Sequence, residues 1–148
     1  MKVKKSSKKV FIDGPISPDF ISNSIAKHQS KTSIGAHQIF LGQVREDQIE
    51  NKNVKAIDYT AYEEMAELEF SKIREKAFEK FELNCLHIYH SLGIVKTGEI
   101  CLFVFTSSEH RAMAFDSCRF ITEEIKANIP VFGKELFQDD SHQWKVNN

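Results

Sequence analysis

An acid, an imidazole and a guanidinium occupy consecutive positions at Glu109, His110 and Arg111, directly after the apolar segment EICLFVFTS. That segment predicts a buried strand, and Ser108 predicts the N-cap of a following helix whose first turn holds all three side chains. Free backbone N–H groups and the helix dipole make such a turn an anion site. Because an arginine charge opposes the dipole, Arg111 indicates a bound anion; the alternative is an ion pair with Glu109 or a neighbouring acid.

Two further segments place cations beside glycines. In FLGQVRED, Gly42 lies inside a predicted strand, where a missing side chain lets a ligand approach the backbone, and Arg45 ends the strand. In EEIKANIPVFGKE, Lys126 falls in the last turn of a long helix, where a cation suits the dipole. Lys134 follows Gly133 in a predicted turn, from which its ammonium can bind an anion, transfer a proton or form a covalent adduct.

The elements that must position these groups follow from hydrophobic periodicity and turn signals. Helices are expected over 17–28, 63–81 and about 108–129, the last of them stopped by Pro130. Strands are expected over 32–47, 55–63, 84–93, 99–106 and, as a short hairpin, 131–140. The strands within 36–62 are expected to pair with each other as an antiparallel hairpin. This order predicts an α+β fold, with a mostly antiparallel sheet and helices on one face.

Length and charge limit the classes of protein to consider. The chain has 148 residues, which predicts a single domain over 10–148, and residues 1–9 carry five lysines and no acid. Those residues are expected to form a flexible basic tail on an acidic body, which is a poor general binder of nucleic acid. No apolar stretch is long enough for a membrane span, and no signal peptide is evident, so a cytoplasmic location is expected.

The cysteines show no reactive or metal-binding pattern. Cys85, Cys101 and Cys118 are far apart in sequence, with no C-x-x-C pair among them. They are expected to be buried, reduced thiols, and neither a metal-ligand cluster nor a cofactor is expected. The segment GIVKTGE resembles a phosphate loop only in its glycines and predicts a strand–turn–strand connection.

Several segments together resemble the large, catalytic subunit family of molybdopterin synthase: FLGQVRED, YTAYEEMAE, SLGIVKTGE, TSSEHRAMAFDSCRFITEEIK and IPVFGKE. The resemblance runs from about Val10 to Trp144. It implies an α/β hammerhead-like fold and a sulfurtransferase (EC 2.8.1.12) of molybdenum cofactor biosynthesis. In that family two sulfurs are added to cyclic pyranopterin monophosphate, which gives the dithiolene of molybdopterin. The sulfur comes from the C-terminal Gly-Gly thiocarboxylate of a small, ubiquitin-like subunit, and two large subunits dimerise within a heterotetramer.

The resemblance also assigns roles to individual residues. The implied substrate-binding set is Gln43, Val44, Arg45, His110, Arg111, Lys126, Gly133, Lys134 and Glu135. Lys126 and Lys134 are the implied catalytic residues. Two positions depart from the family: Gly133 stands where a functional basic residue is usual, and Gln43 where lysine is common. We therefore expect either that Lys134 takes over the missing basic role or that the role is lost.

Helix geometry predicts that the site is shared between two copies of the chain. Arg111 opens the predicted helix and Lys126 lies in its last turn, so at about 1.5 Å per residue they are roughly 22 Å apart along the axis. A pterin phosphate spans about half that distance on the same scale. One ligand can reach both side chains only if they come from different subunits. A two-fold interface creates two such shared sites in each dimer.

Two other classes of function remain open at this point. A non-catalytic dimeric module that binds an anionic metabolite or nucleotide would need Arg45, His110 and Arg111 but neither Lys126 nor Lys134. An RNA-binding sheet is disfavoured by the acidic body and by the lack of interleaved aromatic and basic residues on a strand.

Overall fold

The computed structural model describes residues 9–146, so the predicted basic tail lies almost wholly outside the described residues. The helices are α1 (Pro18–His28), α2 (Glu63–Lys80) and α3 (Arg111–Asn128). The strands are β1 (Phe11–Asp13), β2 (Ala36–Gln43), β3 (Gln48–Ile49), β4 (Lys52–Ala61), β5 (Cys85–Lys96), β6 (Ile100–Ser108), β7 (Val131–Phe137) and β8 (His142–Trp144). None of the helices within 9–146 is long and apolar enough to cross a membrane.

The strands form one mostly antiparallel sheet in the order β2-β6-β5-β4-β7-β8, with β1 parallel to β5 and β3 paired with β4. The predicted α+β class is therefore confirmed, and so is the final hairpin, since β7 pairs with β8. The predicted hairpin within 36–62 is wrong, because β2 pairs with β6 while β4 pairs with β5 and β7. Alternation of apolar residues identifies a strand but does not choose its partner.

A much shorter hairpin replaces the expected one. β3 and β4 are joined by Glu50 and Asn51, both with positive φ, at 52° and 66°. Two consecutive left-handed residues define a type I′ turn, whose twist matches that of the flanking strands. Of the predicted connections, GIVKTGE does form a strand–turn–strand link, with Gly98 at a φ of 87° in the tight turn between β5 and β6.

The two faces of the sheet are covered by different helices. Leu102 and Val104 of β6 pack into the cluster that includes the buried residues of α2 and α3, as the predicted one-sided packing requires. Phe103 and Phe105, which point the other way because side chains alternate along a strand, pack with Ile21 of α1. Helices therefore lie on both faces, and one-sided packing holds only for α2 and α3. The amphipathic pattern of α1 gave no indication of which face it covers.

The helices bury the residues that their spacing predicts. In α1, the hydroxyl of Ser17 accepts a hydrogen bond from the Phe20 N–H at 3.1 Å, which confirms the predicted N-cap. α2 buries Ala66, Phe70, Ile73 and Ala77, none of them more than 2% exposed. α3 buries Ala114, Cys118, Ile121 and Ile125, and it ends at Asn128, two residues before Pro130.

The start of α3 differs from the prediction. Ser108 remains in β6, paired with Ala36, and its hydroxyl bonds to the backbone of His110. His110 is the N-cap, without a side-chain capping bond, and Arg111 is the first helical residue. Glu109 therefore precedes the helix. β6 continues to Ser108 because pairing with its neighbours satisfies the backbone there, which the run of small polar residues did not reveal.

Candidate functional site

A cavity of about 210 Å³ opens beside the last turn of α3. Four elements form its walls, namely β4, β5, β7 and the last turn of α3, and the chain just after β8 closes one side. Its lining residues include Tyr59, His90, Lys126, Gly133 and Lys145. Two lysines thus border a common space, and this arrangement suits an anionic ligand.

The floor of the cavity is uncharged. His90 is buried, and its Nδ1–H donates to the Ser91 carbonyl at 2.8 Å. Its pKa is lowered to about 4, mainly by burial and further by the charge of Lys126, although the bond to Ser91 opposes the shift. Burial likewise raises the pKa of the Tyr59 phenol, whose ring meets His90 edge-on at 5.2 Å. A neutral, poorly hydrated floor strengthens the field of any cation that borders it.

The neighbours of Gly133 leave little space for a side chain at this position. Gly133 pairs with Tyr59 across the β4–β7 ladder, and a Cβ there would lie 2.9 Å from Ile57 Cγ2 and 3.3 Å from Tyr59 Cε1. A longer side chain at this position would require those two residues to move. The basic residue that the resemblance led us to expect here would therefore fit only after Ile57 and Tyr59 had shifted.

Lys145 brings a cation to the same place from the adjacent strand. Its N–H donates to the Gly133 carbonyl at 2.7 Å, so the two residues lie opposite each other. Its Nζ lies 3.8 Å from Oε2 of Glu135, a carboxylate that is only 3% exposed and also accepts from Gln143 Nε2 at 3.1 Å. Glu135 thus pairs with a lysine that itself borders the cavity. Lys145 was not predicted, because the residues around it in the sequence do not show that it pairs with Gly133.

Lys134 lies elsewhere than predicted. It sits within β7 rather than in a turn, and its Nζ stands 5.8 Å from the centre of the Trp144 ring. Because side chains alternate along a strand, it projects away from the face that carries Gly133 and Glu135. The structure therefore brings Lys126 and Lys145 together at the cavity and leaves Lys134 outside. A catalytic role for Lys134 stays a prediction.

Arg45 and its neighbours lie where β2 ends. Val44 is buried, whereas Gln43 and Arg45 are exposed. Arg45 Nε donates to Asp47 Oδ1 at 2.6 Å, and this bond holds the pKa of Asp47 below its usual range. The charge of Lys145 makes a smaller contribution in the same direction, and neither Arg45 nor Asp47 lines the cavity. Because the ion pair is exposed, Arg45 can leave Asp47 and bind a ligand anion at little cost in free energy.

His110 and Arg111 lie at the other end of α3. His110 borders a separate depression of about 310 Å³ together with Glu109 and Met113. α3 runs without interruption from Arg111 to Asn128, so within one chain Arg111 and Lys126 are about 22 Å apart along the axis. In residues 9–146, Arg111 forms no ion pair with Glu109, so that alternative is not what the structure contains.

The three cysteines are free and buried, as predicted. No metal-ligand cluster was expected from the sequence, yet the fold brings three possible ligands together. His28, Cys85 and His87 place one ligand atom each within 4.8 Å of one another. The sequence concealed this group because α1 and β5 are remote along the chain. It lies apart from the cavity beside Lys126, none of whose lining residues belongs to it.

Comparison with known proteins agrees with this architecture. Residues 13–128 match the MoaE protein family. The catalytic subunit of molybdopterin synthase from Pyrococcus abyssi is 37% identical over 115 residues, which cover 78% of this chain and 76% of the relative. The catalytic subunit from Aspergillus fumigatus is 34% identical over 121 residues, covering 82% of this chain but only 64% of the relative.

A solved structure confirms the fold. It is a complex of subunits 1 and 2 of the molybdopterin-converting factor from Helicobacter pylori, and it superposes with a TM-score of 0.80. The likeness covers 94% of this chain and 90% of the matched chain, at 21% identity. Since the family match spans most of the 148 residues and includes α3 with the lysine that borders the cavity, the chain belongs to the MoaE protein family.

Proposed function

We propose that the chain is the catalytic subunit of molybdopterin synthase, a sulfurtransferase of molybdenum cofactor biosynthesis. It would transfer sulfur from the C-terminal thiocarboxylate of a small subunit to cyclic pyranopterin monophosphate. The observation that carries the proposal is the cavity in which Lys126 and Lys145 border a neutral floor of His90 and Tyr59. Both the thiocarboxylate and the substrate phosphate are anions, so each needs cations in a place with little water.

The chemistry divides naturally between the donor and this chain. The donor supplies the sulfur nucleophile, so the chain needs cations but no thiol of its own, which agrees with its three buried cysteines. Lys126 and Lys145 would hold the thiocarboxylate and stabilise the negative charge that develops as sulfur adds to the pterin. His90 stays neutral at pH 7, so its ring orients groups without adding charge.

The proposed active form is a homodimer with two shared pockets. An unbroken α3 keeps Arg111 far from Lys126 within one chain, so a substrate that uses both must lie between subunits. On the face that α3 covers, the edge strand β2 exposes Phe40 and α3 exposes Phe115 beside it, which offers an apolar surface to a second copy. His110 and Arg111 of one subunit would then bind the substrate phosphate beside Lys126 of the other.

The proposed donor is a small, ubiquitin-like subunit ending in Gly-Gly. The solved relative from Helicobacter pylori is itself a two-subunit complex, which supports a partner of this kind. Two glycines have no side chains, so such a tail fits a narrow cavity better than any other peptide end. We place the resulting heterotetramer in the cytoplasm, with neither a membrane nor a nucleic acid as partner.

Reconstitution tests the proposal directly. The chain is mixed with a thiocarboxylated small subunit and cyclic pyranopterin monophosphate, and molybdopterin is measured as its fluorescent oxidation product. We expect turnover that depends on the thiocarboxylate. Tight binding of the pterin without any product would instead favour a non-catalytic anion-binding module.

A further inference from the structure

A compact group of metal-ligand side chains lies where the end of α1 meets the start of β5. His28 closes α1, whereas Cys85 and His87 are alternate residues of β5 and so lie on the same face of the sheet. His28 and Cys85 are buried, at 8% and 6% exposure, and His87 is partly buried. The aromatic rings of Phe105 and Tyr89 flank the group. Two imidazoles and a thiol in a dry setting are the donor set that zinc prefers.

The histidine rings are oriented as ligands. His28 Nδ1–H donates to the Ser24 carbonyl at 2.7 Å, which leaves the lone pair on Nε2. That Nε2 lies 2.9 Å from Nε2 of His87. A backbone carbonyl that fixes the tautomer of an imidazole is the usual outer contact of a metal-bound histidine. The Nε2 atom of His28 and the Nε2 atom of His87 therefore face the same space, and the sulfur of Cys85 lies within 4.8 Å of it.

A cation already touches the sulfur. Lys31 Nζ lies 3.1 Å from Cys85 Sγ. Lys31 is exposed, so its long side chain can leave the sulfur without disturbing the core. An ammonium at this position shows that a positive charge is accommodated here, and it would compete with any metal for the thiolate.

We propose that His28, Cys85 and His87 form a binding site for Zn²⁺, with water as the fourth ligand once Lys31 has moved aside. Bonds of about 2.0–2.1 Å to two nitrogens in a tetrahedron separate those nitrogens by about 3.3 Å. The two nitrogens therefore need to part by only a few tenths of an ångström from 2.9 Å, whereas the sulfur, which lies within 4.8 Å of them, would have to come to about 3.6 Å. The ion would fasten the end of α1 to the sheet, on the face opposite α2 and α3.

Cobalt and zinc binding to the full chain test the site. Chelator-treated protein is titrated with Co²⁺, whose bond to a thiolate gives a ligand-to-metal charge-transfer band, and Zn²⁺ is then added in competition. We expect one ion per chain, the charge-transfer band, and its loss as Zn²⁺ displaces Co²⁺. Cys85→Ser should abolish the band, and His87→Gln should weaken Zn²⁺ binding by about 100-fold or more.

Two further variants separate the site from general effects. Cys101→Ser is the matched control, because it removes another buried thiol and leaves a hydroxyl that can still donate to the Gly42 carbonyl. It should bind Zn²⁺ like the unaltered chain. Lys31→Met should bind Zn²⁺ several-fold more tightly, because the competing ammonium is gone and nothing in the core changes.

The outcome is decisive even if a ligand variant does not fold. Absence of the charge-transfer band in the unaltered chain would overturn the proposal and leave a simple hydrogen bond between the two imidazoles. An unchanged band in folded Cys85→Ser, or weaker binding by Lys31→Met, would also overturn it.

Discussion

Lys145 should carry the cationic role that the sequence assigns to Lys134. In Lys145→Ala the cavity keeps Lys126 and loses the ammonium that is paired with Glu135. The fold should survive, because the bond between Lys145 N–H and the Gly133 carbonyl belongs to the backbone and Glu135 keeps its bond from Gln143 Nε2. The expected defect is therefore in catalysis rather than in stability.

The magnitude follows from the charges. Two unit charges about 4 Å apart attract by about 4 kcal/mol at an effective dielectric constant near 20. The Lys145 side chain is 32% exposed and shares its charge with Glu135, so solvent and that carboxylate reduce the effect. We expect a loss of roughly 2–3 kcal/mol in transition-state stabilisation, which is about a 10²-fold fall in kcat/KM.

The assay compares variants in the reconstituted reaction, with thiocarboxylated small subunit at saturation. Lys145→Arg should retain part of the activity, because it keeps the charge with a different shape. Lys134→Ala is the matched control: it removes a lysine one strand away that stands against Trp144. Near-normal turnover of folded Lys145→Ala, together with a 10²-fold loss in Lys134→Ala, would refute the reasoning and support the hypothesis drawn from the sequence.

Three more predictions follow from the site and the core. Arg111→Ala and Lys126→Ala homodimers should each be inactive, whereas mixed dimers should regain activity at about half of their pockets; no recovery after confirmed subunit exchange would contradict a shared site. Replacing all three cysteines by serine should leave sulfur transfer intact in protein that circular dichroism shows to be folded, although buried hydroxyls lower its stability. Because the pKa of His90 is about 4 in the folded chain and 6.5 as a free side chain, the unfolded chain binds more protons between those values. The free energy of unfolding should therefore fall by up to about 3 kcal/mol as the pH drops from about 6.5 to 4, and urea titrations of His90→Gln should show a flatter dependence.

Sequence alone predicted the parts of the fold that depend on local patterns. The periodic residues of α2, the Ser17 cap and the turn at Gly98 all lie as expected, because each is set by neighbours within a few positions. The pairing of β2 with β6 was missed, since partner choice depends on contacts about sixty residues apart along the chain. The start of α3 was missed for the same reason, because pairing with β2 extends β6 through Ser108.

The same distinction applies to the candidate site. The position of Lys126 was predicted because the last turn of a helix can be recognised from sequence, whereas its role came from the resemblance. His90, Tyr59 and Lys145 were not found, because each reaches the cavity from a different strand. The metal-ligand group was hidden similarly, since His28 meets Cys85 and His87 only after α1 has packed against the sheet.

The contact between Gly133 and Lys145 has a consequence for how relatives should be compared. Positions that face each other across an antiparallel ladder share one side of the sheet, so a side chain can be exchanged between strands while its charge stays nearly in place. A column-by-column alignment would register Gly133 as a lost function and Lys145 as an unrelated surface change. Aligned on the sheet, the two become one pair of positions, whose joint role the Lys145→Ala variant tests. Relatives with a small residue at the first position should therefore be searched for a cation at the second before they are classed as inactive.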